Sequence, residues 1–123
     1  MRDIKNRLDI ILLVDTFYEK VKTDETIGYL FTEIAKVNWE KHLPKMYDFW
    51  ENILFYTNNY SGSPMMVHKE LHEKSPLNAE HFSHWTTLFC VNIDAHFKGK
   101  KANEIKERAK NIAMVMSYKV IEK

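Results

Sequence analysis

The sequence predicts an all-α fold of five or six helices joined by short connections. Apolar residues recur at helical spacing almost throughout. No stretch alternates apolar and polar residues as a half-buried strand does. Glycine and proline, three of each in 123 residues, leave little loop material between helices. One domain, residues 1–123, is expected, long enough to bury a core without disulfides.

The elements follow in chain order. Ile10, Leu13, Val14, Phe17, Tyr18 and Val21 fall on one helical face. "KTDET" breaks that helix, with Thr23 or Asp24 placed to cap the next. A shorter element through "IGYLFTEIAK" brings Leu30, Phe31 and Ile34 together. Met46, Phe49, Trp50, Ile53 and Leu54 form a third face. Because proline suits a first helical position, this helix is expected to start near Leu43, just before Pro44. The other reading has Asn38 capping an earlier turn that Pro44 kinks. Turn residues crowd into "YTNNYSGSP", 56–64, the expected main loop. A short helix containing His68 and His72 ends at Ser75–Pro76. Asn78 then caps a helix that buries Phe82, Trp85, Phe89 and Ile93. "KGKK" at 98–101 reads as a solvated loop, and a last helix carries Ile105, Ala109, Ile112, Ala113, Met116 and Val120.

Charge and cysteine content narrow the function classes. A formal net charge of +1 gives no field to draw nucleic acid or an anionic membrane, and neither partner is expected. The apolar run bracketed by Asp9 and Asp15 is far too short to span a bilayer. With Cys90 as its one cysteine the chain forms no internal disulfide, which points to a reducing, cytoplasmic setting. Cys90 lies in the apolar "LFCVNI" and reads as a small core residue rather than a nucleophile. Carboxylates such as Asp24, Glu25, Glu104 and Glu107 stand at helix starts, where the helix dipole accounts for them.

The stretch "GSPMMVHKELHEKSP" raises the question of a metal. His68 and His72 are four apart and share a helix face. A zinc-protease motif needs glutamate directly after the first histidine, and Lys69 stands there. A different pattern remains: a histidine on a short helix, with aromatic and polar-tipped side chains on the other helices. A porphyrin iron needs one neutral imidazole, apolar walls for the macrocycle, and donors on the opposite face. Composition permits this reading without demonstrating it.

"FYEKV" at 17–21, "IGYLF" at 27–31, "WEKH" at 39–42, "FW" at 49–50, "YSGSPMMVH" at 60–68 and "HFSHWTTLF" at 81–89 follow one another in a telling order. Their order and spacing resemble the truncated haemoglobins, and within them the bacterial third group. The resemblance covers roughly residues 3 to 120. It implies a truncated globin fold, two helices over two around a haem, here haem b (iron protoporphyrin IX). It implies distal ligand contacts from Tyr18, His42 and Trp85. Haem-pocket walls are implied at Phe17, Phe31, Met46, Phe49, Trp50, Leu71 and Phe82. The family's "G-x-P-x-x-x-H-x-x-L" pattern falls on Gly62, Pro64, His68 and Leu71, which makes His68 the expected axial ligand. Counted back from Trp85, His72 has the spacing of shorter members, so it stands as the second candidate.

The function expected from this resemblance is a haem protein binding O2, NO or a similar diatomic. Strong distal donors slow ligand release, and so favour chemistry on O2, NO or peroxide over transport. One alternative is a haem enzyme, a peroxidase or nitric-oxide dioxygenase served by a separate reductase. Another is a haem-free helical interaction module. A monomer is expected.

Overall fold

A computed structural model describes residues 1–58, 60 and 62–121. Asn59 and Ser61, which belong to the expected 56–64 loop and the 60–68 motif, lie outside the described residues. Among those described there are five α-helices, one short π-helix and no strand.

Helix α1, Arg7–Lys22, starts where the Asn6 side chain accepts the Asp9 N–H. Its face Ile10, Leu13, Val14, Phe17, Tyr18 and Val21 is buried, as the spacing predicts. Full burial of such a side chain is worth roughly 1.5–3 kcal/mol, and six on one stripe explain why this helix anchors the core. After α1 the Asp24 carboxylate accepts the N–H groups of Thr26 (2.9 Å) and Ile27 (3.0 Å), the capping role expected of Thr23 or Asp24. Gly28 then passes so close to the end of α1 that a Cβ there would stand 2.8 Å from the Val21 carbonyl oxygen. The next element is the π-helix Leu30–Ile34, where Ala35 N–H reaches back five residues to the Leu30 carbonyl.

Helix α2, Trp39–Phe55, begins before Leu43, at the Asn38 boundary of the other reading, though the Asn38 side chain makes no capping hydrogen bond. Pro44 lies inside it, not at its first position. The Asn38 carbonyl accepts Lys41 N–H (3.1 Å) and His42 N–H (2.8 Å), so His42 belongs to the first turns of the helix. Sequence order favoured Pro44 as the start because an interior proline forfeits a backbone bond. Here Trp39 offsets that loss, held against Tyr18, Phe31 and His42 with Lys22 4.7 Å above its ring.

Helix α3, Pro64–Lys74, has Pro64 at its start and the Ser63 hydroxyl accepting the Met66 N–H. Helix α4, Ala79–His96, opens on a reciprocal cap. The Asn78 side chain accepts His81 N–H (2.8 Å), and His81 Nδ1 accepts Asn78 N–H (3.2 Å). Helix α5, Lys100–Ile121, corrects the loop reading of "KGKK": Lys100 and Lys101 are helical. Its first turn is capped from the far end of the chain, by an Asp3 carboxylate that accepts the Lys101 and Ala102 N–H groups, each at 2.9 Å. Gly99, at φ +150°, makes room, since a Cβ there would stand 2.5 Å from Asp3 Cγ.

Helices α1 and α2 pack together, as do α4 and α5; α1 also meets α4, and α2 meets α5. This is the two-over-two arrangement. Asn92, fully buried, ties the layers: its Nδ2 donates to the Leu13 carbonyl (3.0 Å) and the Thr16 hydroxyl (2.9 Å). Helix α3 touches α5 rather than entering the main core. Among the described residues, no helix is long and apolar enough to cross a membrane.

Candidate functional site

The gap between α3 and the four main helices is a cavity of about 400 Å³, within the size range of small-molecule and cofactor sites. Its walls are mainly apolar: Leu30 and Phe31 from the π-helix, Met46, Phe49 and Trp50 from α2, Leu71 from α3, Phe82 and Trp85 from α4. Polar side chains reach it at a few points, chiefly Tyr18, His42 and His68.

One group of polar tips lies between α1 and α2. His42 Nε2 is 3.2 Å from the Tyr18 hydroxyl, and the two rings meet edge to face with centroids 5.2 Å apart. Tyr18 is 5 % exposed, and burial holds its phenol far above the usual tyrosine range. It therefore keeps its proton and can donate. Burial lowers the His42 imidazole below the usual histidine value, and the nearby charges of Lys45 and His68 lower it further. His42 is thus neutral at neutral pH.

Trp85 faces the same cavity from α4. Its indole is parallel to the Phe89 ring (5.3 Å, 6°) and to Trp50 (6.4 Å, 18°), and Phe17 abuts it edge-on at 5.8 Å. These contacts hold the ring plane. Among the described residues, no protein acceptor takes the Trp85 N–H.

His68 comes from α3. Its Nδ1 is 2.6 Å from the Pro64 carbonyl oxygen, so the ring proton belongs on Nδ1 and the Nε2 lone pair is left free. Burial depresses its pKa, partly countered by that bond, which favours the neutral form. Phe82 lies beside it, ring centroids 6.2 Å apart. His72 is placed differently. It does not line the cavity, and its Nδ1 accepts the Leu77 N–H at 2.8 Å, closing the turn after α3.

Of the side chains singled out from the sequence, the cavity brings together Tyr18, His42, Trp85, His68, Phe31, Met46, Phe49, Trp50, Leu71 and Phe82. It leaves out His72 and Phe17. Phe17, 1 % exposed, backs the site instead, edge-on to Tyr18, Trp85 and Phe89. Sequence reasoning missed Lys45, Tyr60 and His81 as lining residues, along with the α5 trio Ile112, Ala113 and Met116. The α5 positions were legible as a buried face, but nothing local distinguishes a wall from a core. His81 carried a weak signal, its place in "HFSHWTTLF".

A neutral imidazole with a free lone pair across an apolar cavity from a phenol, an imidazole and an indole is a donor set suited to a haem and its gaseous ligand. Comparison with known proteins agrees. The profile of the family described as bacterial-like globin matches residues 5–118. This chain belongs to that family. The globin is 31 % identical over 111 residues to the Group 3 truncated hemoglobin ctb of Campylobacter jejuni subsp. jejuni, an overlap covering 88 % of this chain and 85 % of the relative. Its fold matches the crystal structure of group III truncated hemoglobin from Campylobacter jejuni with a TM-score of 0.86 at 28 % identity, over 99 % of this chain and 97 % of that one. Both comparisons support the group-III truncated haemoglobin resemblance drawn from the sequence.

Proposed function

We propose that this globin holds haem b in the 400 Å³ cavity, with His68 as axial ligand, and binds a diatomic gas beneath Tyr18, His42 and Trp85. The observation that carries the assignment is the His68–Pro64 bond. It protonates Nδ1, leaves Nε2 as the donor atom, and fixes the ring plane. His72, by contrast, spends its Nδ1 on the backbone of the following turn. When bound, haem would supply an iron that His68 Nε2 could hold and that could bind a gas. A cysteine thioether to haem is excluded in this reading, because the one cysteine, Cys90, is on α4 and does not line the cavity.

The chain's own groups select what that position does. Tyr18 keeps its proton and donates. The Trp85 N–H is available in the same cavity. With its proton on Nε2, His42 donates to the Tyr18 oxygen and leaves the phenolic O–H for a ligand; in the other tautomer that O–H is spent on His42. The apolar walls exclude water and strengthen each of these bonds. Such donors would slow the release of a ligand carrying partial negative charge, which favours chemistry on O2, NO or peroxide over reversible carriage. A reductase would re-reduce the protein after each turnover. Titration of the purified protein with haemin tests the reading: a Soret band saturating at one haem per chain is expected, and its absence sinks the proposal.

A further inference from the structure

Trp50 and Trp85 both line the cavity, and their rings are nearly parallel, 6.4 Å apart and 18° from coplanar. Phe89 lies against both, 4.6 Å from Trp50 and 5.3 Å from Trp85. Trp50 itself is 3 % exposed, so its indole gives the cavity a path into α2 rather than to water.

Three residues before Trp50 on α2 is Tyr47. Side chains three apart on a helix are neighbours, their Cβ atoms roughly 5–6 Å apart. Tyr47 does not line the cavity; its hydroxyl points away and donates to the Asp15 carboxylate on α1. Over its ring lies the Arg7 guanidinium, 5.9 Å from the centroid and tied to Asp48 (2.9 Å) and Glu51 (2.7 Å). Tyr18 and Tyr29 meet histidine nitrogens instead, at 3.2 and 3.4 Å. Tyr47 is therefore a phenol on a carboxylate base, one helical turn from a cavity-lining tryptophan.

We propose that Tyr47, with Asp15 as its proton acceptor, is the terminal electron donor of an aromatic relay running from the cavity through Trp50. The inference rests on the haem reading above. Reduction of one H2O2 to two waters consumes two electrons and two protons; bound haem would supply this redox chemistry, and a side chain lining the cavity would make up an electron it lacked. When the cavity-lining indole of Trp50 supplies that electron, the oxidised Trp50 cation radical is restored by one electron from Tyr47. The phenolic proton moves along the existing hydrogen bond to Asp15. The products are neutral Trp50, a neutral Tyr47 phenoxyl radical and a neutral Asp15 carboxylic acid, so charge balances. Burial and the Asp15 bond push the Tyr47 phenol up to about 12, so it stays protonated until the electron leaves. The relay would draw oxidising equivalents away from Tyr18 and Trp85.

Electron paramagnetic resonance of the haem-loaded ferric protein, frozen soon after mixing with hydrogen peroxide, tests this. The Soret band is recorded first on every sample. A tyrosyl signal is expected, narrowed by ring-deuterated tyrosine. It should be lost in Tyr47→Phe, much reduced in Asp15→Asn and Trp50→Phe, and unchanged in Tyr118→Phe, an exposed control. Tyr47→Phe keeps the ring, so an unaltered Soret band shows the fold is kept. A full Soret band without a tyrosyl signal, or a tyrosyl signal that persists in Tyr47→Phe, overturns the relay while leaving the haem reading standing. Failure to take up haem overturns both.

Discussion

His68 Nδ1 lies 2.6 Å from the carbonyl oxygen of Pro64, one turn back along α3. That bond decides which ring nitrogen is free, and His72, one turn on, has no counterpart facing the cavity. Replacement of His68 by Ala is expected to abolish the histidine-ligated absorption and iron–histidine Raman signature, with added imidazole restoring it. The matching His72→Ala change should keep the signature and loosen the end of α3. Loss of the signature in His72→Ala alone would reassign the ligand.

Tyr18 and Trp85 both line the cavity. A hydrogen bond to a ligand is worth about 1.5 kcal/mol when its acceptor is partly charged, which corresponds to roughly tenfold in rate. Tyr18→Phe is expected to speed O2 dissociation by about that factor, and Trp85→Phe by a similar one. Both changes keep an aromatic ring in place. Stopped-flow displacement of O2 by CO measures the effect; an unchanged rate in Tyr18→Phe would remove that residue from the ligand's surroundings.

Acid should unfold the protein through identifiable carboxylates. The Asp9 side chain is held below the ordinary carboxyl value of 3.8 by its bond to Arg2, against burial. For Asp3, burial pushes the other way but is outweighed by the N–H groups of Lys101, Ala102 and Ile4. At Asp24 burial is likewise outweighed, by His84, Ile27 and Thr26. Each carboxylate binds its proton more weakly folded than unfolded. Its stabilisation is therefore complete above the ordinary value and is lost as pH falls through the folded one. Urea denaturation from about pH 5 to about pH 2 should show Asp9→Asn less stable than wild type at the upper end, the two converging at the lower.

Gly99 and Asp3 should behave as one unit. Gly99→Ala puts a Cβ into the Asp3 carboxylate at a backbone angle that disfavours side chains. The expected cost is about 2–4 kcal/mol, from strain and the displaced cap together. With Asp3 already changed to Ala, the same substitution should cost only the backbone part, about 1–2 kcal/mol. Additive costs in thermal or urea denaturation would show that Asp3 does not cap α5.

Local patterns carried much of the fold. The six-residue stripe of α1, the Asn78 cap and the buried face of α5 follow from spacing and side-chain chemistry alone, and the structure bears each out. Two boundaries did not follow. Helix α2 begins at Trp39 because aromatic packing around that residue outweighs an interior proline. Helix α5 begins at Lys100 because its capping carboxylate, Asp3, comes from the opposite end of the chain. The local sequence offered Asn38 as one of two starts for α2 but could not choose between them, and the α5 cap lies in no local window at all.

The site divides in the same way. By itself the sequence determined the residue types, the helical order that brings them together, and the family to which the chain belongs, because apolar period and motif order are one-dimensional properties. Only the tertiary structure put His68 on the cavity wall and His72 off it, bonded to the Leu77 N–H, though both are on α3. It also moved Phe17 behind the cavity wall and drew Tyr60, His81 and the α5 trio into the lining. Which nitrogen of a histidine is spent on the backbone, and which face of a buried helix meets a cavity instead of another helix, are settled by packing in three dimensions.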